Sequence, residues 1–102
     1  VDVYATPMMI ALMENTAAEL LSQFLDKGET SVGIRIDTSH DAATPAKMKV
    51  WATAQITAVD RKKVTFHIVA KDEKDVIGTA QHERFIVNKE KFEAKAQSKL
   101  DK

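Results

Sequence analysis

The amino-acid sequence predicts an α+β fold in which one long helix is followed by a curved antiparallel sheet of about four or five strands. Two patterns indicate this fold. Residues 7–26 are apolar or small on almost every side, which is typical of a buried helix. From residue 31 onward apolar and polar side chains alternate, which is typical of half-buried strands. Because the helix has no polar side wide enough to face water, the sheet must curl around it.

The predicted helix opens at Thr6-Pro7, a capping hydroxyl followed by a proline suited to the first helical position. It ends at Lys27-Gly28, a cation and a C-terminal glycine. Its length would span a membrane, but one carboxylate such as Glu14 would cost about 2.5–3.5 kcal/mol on insertion. We therefore interpret the segment as a core helix, and Glu14 in its middle is its unusual feature.

Four strands and a short C-terminal helix follow the first helix. The strands are predicted at 31–39, 47–59, 63–72 and 76–88, and the second helix at 89–100. The side chains predicted to face the first helix are Val32, Ile34 and Ile36, then Met48, Val50, Ala52, Ala54, Ile56 and Ala58, then Val64, Phe66, Ile68 and Ala70. Long strands with open edges are normally covered or paired across a dimer, so we expect a homodimer.

The composition predicts one domain, residues 1–102, with balanced charge. The 15 acidic and 15 basic residues cancel, so no basic field for nucleic acid is expected. There is no cysteine, which excludes disulfides and fits a reducing compartment. The N-terminus has no basic segment followed by an apolar one, so we expect no signal peptide and a cytoplasmic protein. The histidines lack metal-ligand spacing and no phosphate-binding glycine loop is present, so we predict no metal and no cofactor.

Several polar residues allow two interpretations each. Thr6 alone is more often only a helix cap, and His40 alone is more often a histidine at a strand end. Glu14 has apolar neighbours that indicate burial, and a buried carboxylate needs a partner or changes its pKa. Arg84 could be a solvated strand residue or part of a dimer salt bridge, and Gly33 could simply relieve crowding in a strand.

Four motifs in order along the chain resemble a known family. Residues 4–14, Tyr-Ala-Thr-Pro-Met-Met-Ile-Ala-Leu-Met-Glu, resemble the start of the central helix in hotdog-fold acyl-CoA thioesterases. The likeness continues through Gly-Glu-x-Ser-x-Gly at 28–33, His-x-Ala-Ala-Thr-Pro at 40–45 and His-Glu-Arg at 82–84. It covers essentially the whole sequence, and it is closest to the fluoroacetyl-CoA thioesterase type.

The resemblance implies the roles of six residues. The catalytic residues it implies are Thr6, Glu14 and His40, and the substrate-binding residues are Gly33, Arg84 and His82. Thioester hydrolysis needs a nucleophile or an activated water, a proton shuttle and a donor to the carbonyl oxygen. Three nucleophiles are consistent with this set: Thr6, Glu14 and water. His82 also fits a residue that supports the site or the interface.

The resemblance further implies hydrolysis of a short-chain acyl-CoA by a homodimer or a dimer of dimers, with the site at the subunit interface and no nucleic acid or membrane partner. Members of this family usually carry a first strand and lid-like aromatic residues before the helix, whereas this sequence begins almost at the helix. Two other interpretations stay open. One is a non-catalytic module that binds acyl thioesters or small ligands, and the other is a cystatin-like interaction domain.

Overall fold

The computed structural model describes residues 2–100, which form two α-helices, a 3₁₀ turn and one four-stranded sheet. The elements are α1 (Thr6–Ser22), β1 (Glu29–His40), β2 (Val50–Asp60), β3 (Lys63–Asp72), β4 (Val76–Asn88) and α2 (Lys89–Gln97), with the 3₁₀ turn at Ser98–Leu100. The strands are antiparallel in the order β1–β4–β3–β2, so β1 and β2 form the edges. This is the predicted α+β class, and β3 and β4 have the predicted bounds.

α1 begins one residue earlier than predicted, and Thr6 is not its cap. Ala5 occupies the capping position with extended backbone and makes no side-chain hydrogen bond there. Thr6 and Pro7 are the first two helical residues. Proline is tolerated here because the first N–H groups of a helix have no partner within it. The Thr6 hydroxyl bonds to His40 instead.

α1 ends at Ser22 rather than at the predicted residue 26. The next N–H groups, of Gln23, Phe24 and Leu25, bond to carbonyls three residues earlier, which tightens and ends the helix. Gly28 does not terminate the helix. It has φ 86° in the turn before β1, where its left-handed backbone would be costly for other residues.

One stripe of α1 packs against the sheet. Its buried side chains are Met9, Met13, Ala17 and Leu21, and they contact Val64, Phe66, Ile68 and Ala70 of β3 and Ile77 and Ala80 of β4. The predicted inward face of β3 is confirmed. The prediction of a helix buried on nearly every side is wrong for the single chain, because Met8 is 61% exposed. No helix in the described part of the chain is long and apolar enough to cross a membrane.

A bulge between Ile56 and Ala58 changes the face of β2 near its end. Between Val50 and Ile56, the side chains that face α1 are those predicted. Beyond it, Ala58 pairs with Thr65 on the outer face of β3, so the prediction that Ala58 faces the helix is wrong. The strand also starts at Val50, which leaves the predicted inward residue Met48 in the preceding turn.

A second bulge changes the face of β1 in its middle. The register with β4 shifts between Gly33 and Arg35, so Ile34 is the extra residue and is 51% exposed. Before the bulge odd-numbered residues face α1, and after it even-numbered residues do, because one extra residue exchanges the two faces of a strand. The predicted inward face of β1 is therefore right for Ile36 and wrong for Val32 and Ile34.

α1 approaches the sheet closely at Gly78 of β4. A Cβ atom added there would lie 2.8 Å from Met9 Sδ and would overlap the carbonyl oxygen of Ser39. Because no side chain fits at this position, glycine allows Met9 to lie against the backbone of β4. Gly78 also pairs with His40 at the end of β1, so this contact brings the first turn of α1 next to His40.

A polar network ties the β3–β4 turn to the segment before α1. Asp72 Oδ1 accepts hydrogen bonds from the N–H groups of Lys74 and Asp75, both at 2.8 Å. Asp72 Oδ2 accepts one from the buried Thr44 hydroxyl at 2.8 Å, and the Thr44 carbonyl accepts one from Tyr4 N–H at 2.8 Å. These bonds, led by the one from Lys74, hold the pKa of Asp72 below its ordinary value of 3.8.

We expect Asp72→Asn to destabilise the protein at pH 7 and to flatten its stability profile in acid. Because folding lowers the pKa of Asp72, its contribution is complete above the unfolded-state pKa and is lost as pH falls through the folded-state pKa. Urea unfolding at pH 7 and at several values below about pH 4 measures this effect. The difference in free energy of unfolding between wild type and variant should shrink as the pH falls.

Asp75→Asn is the matched control. It removes the same charge from the same turn, whereas Asp75 contacts Asp72 only through its backbone. A stability difference for Asp72→Asn that stays constant into acid, or that Asp75→Asn reproduces, would contradict the assignment.

Candidate active site

Thr6 and His40 meet at one end of the inner face of the sheet. Thr6 is the first residue of α1 and His40 is the last residue of β1. Thr6 Oγ1 lies 2.8 Å from His40 Nδ1, a hydrogen bond whose donor depends on the His40 tautomer. The close approach of α1 at Gly78 positions this pair. A hydroxyl beside an imidazole is the arrangement in which the imidazole can take the hydroxyl proton and activate it as a nucleophile.

An open pocket of about 330 Å³ adjoins this pair and is lined by residues 3–6 and 40–43. Tyr4 forms part of its wall, and burial raises the pKa of the Tyr4 phenol, which therefore stays a neutral hydroxyl. His40 Nε2 is buried and has no hydrogen-bond partner within residues 2–100. One ring nitrogen of His40 thus contacts Thr6, and the other is enclosed without a hydrogen-bond partner in the described chain.

A second polar group, here called the Glu14 cluster, consists of Glu14, Gly33, His82 and Arg84. A Cβ atom added to Gly33 would lie 3.1 Å from Glu14 Oε2, 3.2 Å from His82 Cε1 and 3.3 Å from Arg84 Nη1. Three ionisable side chains therefore converge on one glycine. Gly33 faces inward because it precedes the bulge at Ile34.

Arg84 is 9% exposed and is held by β1 and β4. Its Nε donates to Ser31 Oγ at 2.9 Å, its Nη2 donates to Ser31 O at 3.0 Å, and its Nη1 donates to His82 Nε2 at 3.2 Å. Burial lowers the pKa of Arg84, and the negative charge of Glu14 opposes that shift. Ser31 was not predicted as a site residue, because strand alternation places it on the outer face. The motif Gly-Glu-x-Ser-x-Gly is the signal that could have found it.

The predicted site residues form two groups within the chain. Thr6 and His40 are in contact, while Gly33, His82 and Arg84 surround Glu14. Along α1 the rise of about 1.5 Å per residue puts the Cα atoms of Thr6 and Glu14 about 12 Å apart. The three predicted catalytic residues therefore do not make one contiguous group in a single chain.

The chemistry of these groups is that of attack on a carbonyl. The hydroxyl–imidazole pair can attack a carbonyl carbon and carry a proton. A guanidinium, a carboxylate and a helix N-terminus can orient the substrate and stabilise charge.

Both ring nitrogens of His82 bond to the protein, Nδ1 to Arg35 O at 2.7 Å and Nε2 to Arg84. Within residues 2–100, no three His, Asp or Glu side chains are grouped as metal ligands would be.

Comparison with known proteins identifies the family. A family model described as fluoroacetyl-CoA-specific thioesterase matches residues 1–90. A fluoroacetyl-CoA thioesterase of Streptantibioticus cattleyicolor is 37% identical over 98 residues, which are 96% of this chain and 70% of that protein. This chain belongs to the fluoroacetyl-CoA-specific thioesterase family.

Solved structures agree with this assignment. A variant of the fluoroacetyl-CoA-specific thioesterase FlK in complex with fluoroacetate and CoA is 37% identical, with TM-score 0.91 over 95% of this chain and 76% of that chain. A thioesterase superfamily member of Thermus thermophilus is 28% identical, with TM-score 0.94 over 99% and 74%. A hot-dog-like protein from Thermanaerovibrio acidaminovorans, 23% identical with TM-score 0.89 over 96% and 73%, shares the fold. The predicted hotdog fold is confirmed, and the cystatin-like interpretation is wrong.

We expect Gly33→Ala to slow thioester hydrolysis, the reaction for which the family is named, by about tenfold to 10²-fold. The new methyl group would lie 3.1 Å from Glu14 Oε2 and 3.3 Å from Arg84 Nη1, so these groups must move by a few tenths of an ångström. Small displacements of the groups that orient the reactants lower the rate of a reaction strongly. A steady-state assay of kcat/KM measures the effect.

Gly28→Ala is the control for this substitution. A Cβ atom at Gly28 has no neighbour within 4 Å, although φ 86° strains any residue other than glycine. It should lower the free energy of unfolding by about 1–2 kcal/mol and leave kcat/KM unchanged. Equal kcat/KM in wild type and Gly33→Ala would show that the spacing in the Glu14 cluster has no influence on hydrolysis.

Proposed function

We propose that the protein is a homodimeric acyl-CoA thioesterase that hydrolyses short-chain acyl-CoA at a site in the dimer interface. The contact that carries this proposal is the 2.8 Å hydrogen bond between Thr6 Oγ1 and His40 Nδ1 beside the pocket. Membership of the family supports the thioester class, since the 37%-identical relative is named a fluoroacetyl-CoA thioesterase. CoA and fluoroacetate are bound in the solved variant of FlK.

In the proposed reaction Thr6 supplies the attacking hydroxyl and His40 acts as the base. His40 Nδ1 takes the Thr6 proton while Oγ1 forms a bond to the thioester carbonyl carbon. The carbon–sulfur bond breaks, and the imidazole returns the proton to the leaving thiolate of CoA. Water then attacks the acyl carbon of the Thr6 ester while the same imidazole takes one of its protons. The bond from that carbon to Oγ1 breaks, the imidazole returns the proton to Oγ1, and the carboxylic acid leaves. The partial positive charge at the N-terminus of α1 stabilises the developing oxyanion.

The third catalytic group in this proposal is Glu14 of the partner subunit. Within one chain about 12 Å along α1 separates Glu14 from Thr6, while His40 Nε2 has no partner among residues 2–100. A carboxylate at Nε2 would fix the tautomer that leaves Nδ1 free to accept the Thr6 proton. The 61% exposure of Met8 on α1 and the open edge of β1 are consistent with pairing of two copies.

The size of the pocket supports a short acyl group. Its volume of about 330 Å³ is near the lower end of the range of roughly 300–1,000 Å³ for small-molecule sites. Half-buried Tyr4 contributes to its lining together with the small side chains of Ala5, Ala42 and Ala43. A short acyl chain of about two to four carbons is therefore the substrate class we propose.

We expect CoA release from acetyl-, propionyl- or butyryl-CoA to exceed that from hexanoyl-CoA and longer acyl-CoAs when a thiol-reactive dye follows the free thiol. Glu14→Gln and His40→Ala should each reduce kcat by about 10²-fold or more, because each removes a group engaged in proton transfer or its orientation. Glu19→Gln is the matched control, since it makes the same change on the same helix at an exposed position. It should leave kcat unchanged.

Two results would oppose this proposal. Wild-type turnover in both Glu14→Gln and His40→Ala would remove these residues from the mechanism. Binding of acyl-CoA without release of thiol from any member of the series would instead favour the non-catalytic binding module.

Mixed dimers test whether the site spans the interface. When Glu14→Gln and His40→Ala subunits are unfolded together and refolded, each mixed dimer should contain one intact site and one site that lacks both groups. Activity should then rise well above that of either parent, towards half of the wild-type value per mixed dimer. A mixture as inactive as its parents, with mixed dimers confirmed by mass spectrometry, would place all three groups in one subunit.

A further inference from the structure

His82 lies at the middle of the inner face of β4 and is completely buried. Its paired neighbours are Ile36 of β1 and Phe66 of β3, and the Phe66 ring centroid is 6.0 Å from the centroid of the imidazole. These apolar surroundings would suit an aliphatic side chain. A histidine here must find partners for two ring nitrogens, because an unpaired buried polar group is costly.

The partners of the two nitrogens define the state of the imidazole. Nδ1 lies 2.7 Å from Arg35 O, which can only accept, so Nδ1 carries the proton. Nε2 lies 3.2 Å from Arg84 Nη1, which can only donate, so Nε2 carries a lone pair. His82 is therefore neutral and in the Nδ1–H tautomer. An imidazolium would direct a second N–H group at a guanidinium.

The surroundings of His82 favour this neutral form. Burial is the largest influence and lowers the pKa of His82, and the positive charge of Arg84 also lowers it. The hydrogen bond to Arg35 O and the negative charges of Glu14 on α1 and Glu83 on β4 raise it. β3 contributes the apolar Phe66 at the paired position. The net shift is downward from 6.5, so the ring is uncharged at pH 7.

His82 provides one of three hydrogen bonds that orient the Arg84 guanidinium. Ser31 accepts the other two, through Oγ at 2.9 Å and through its carbonyl at 3.0 Å. Each guanidinium nitrogen thus has one hydrogen engaged, which fixes the plane of the group. Nη1 and Glu14 Oε2 both lie next to Gly33, and the negative charge of Glu14 acts on the Arg84 guanidinium.

We propose that His82 is a positioning residue for the reaction, which through its Nε2 lone pair holds the Arg84 guanidinium in the orientation that fixes the Glu14 carboxylate. This inference rests on the proposed thioesterase function. His82 has no free ring nitrogen with which to touch a substrate, because both nitrogens bond to the protein. We therefore expect His82 to influence hydrolysis through Arg84. Substitution of His82 should lower kcat.

Two substitutions separate the two hydrogen bonds of His82. His82→Gln can place its carboxamide oxygen near the position of Nε2, where it can accept from Arg84. His82→Asn can place its amide N–H near the position of Nδ1, where it can donate to Arg35 O, but it cannot reach Arg84. We expect His82→Gln to keep most of the wild-type kcat for acetyl-CoA and His82→Asn to lose about tenfold to 10²-fold, with KM nearly unchanged in both.

A double-mutant cycle tests whether His82 acts through Arg84. Lysine at position 84 cannot reach Ser31 and His82 together, because it lacks the planar fork of donors. Arg84→Lys should therefore lower kcat, and adding His82→Asn to it should lower kcat little further. Losses that simply multiply in the double variant would overturn the proposal. Equal kcat in His82→Gln and His82→Asn would overturn it as well.

The tautomer can be measured without any enzymatic assay. In ¹⁵N NMR of the wild-type protein at pH 7, with the His82 signals assigned by their loss in His82→Gln, we expect a protonated Nδ1 and an unprotonated Nε2. An imidazolium or the opposite tautomer would overturn the proposal even if His82→Asn fails to fold.

The wild-type assay separates this inference from the function on which it rests. If the wild type releases thiol and the His82 variants behave alike, only the positioning role fails. If the wild type hydrolyses no acyl-CoA, the proposed function fails and the positioning role fails with it, whatever tautomer NMR finds.

Discussion

Both polar groups of the site depend on one extra residue in β1. Ile34 forms a bulge, so Ser31 and Gly33 face α1 before it, and His40 faces α1 after it. In a regular strand one of these two sets would lie on the outer face, because side chains alternate with a period of two. The bulge leaves the Ile34 side chain 51% exposed, a local loss of apolar burial. In return a single strand supplies residues to both the Thr6–His40 pair and the Glu14 cluster.

The second constraint is the distance between α1 and the sheet. At Gly78 the absence of a side chain lets Met9 pack on the backbone beside Ser39. Burying a methionine side chain contributes roughly 1.5–3 kcal/mol, so the contact that anchors the first turn of α1 also stabilises the fold. Because Thr6 begins that turn, core packing places its hydroxyl at His40. The contact between Thr6 and His40 is thus set by apolar packing one turn away from it.

The sequence predicted regular features well and irregular ones poorly. The inward face of β3, the bounds of β3 and β4 and the class of fold follow from alternation and from turn residues. The faces of β1 and the end of β2 do not, since a bulge leaves no mark in the hydrophobic period and reverses every side chain beyond it. The sequence predicted Thr6 as a helix cap because a local pattern carries no information about contacts between distant residues. The hydrogen-bond partner of Thr6, His40, lies 34 residues further along the chain. Only the resemblance to a family suggested that these two residues act together.

The Glu14 cluster is difficult to explain by stability alone. Removing the guanidinium of Arg84 from water costs several kcal/mol, and apolar residues of similar volume often stabilise a fold as well or better. In the described chain the guanidinium of Arg84 is satisfied by Ser31 and His82, and Glu14 Oε2 and Arg84 Nη1 both lie beside Gly33. A charged imidazole at position 82 would repel Arg84, and an aliphatic residue there would leave one donor of Arg84 unpaired. A neutral histidine meets both conditions, so its identity follows from the need to keep Arg84 charged, oriented and next to a carboxylate.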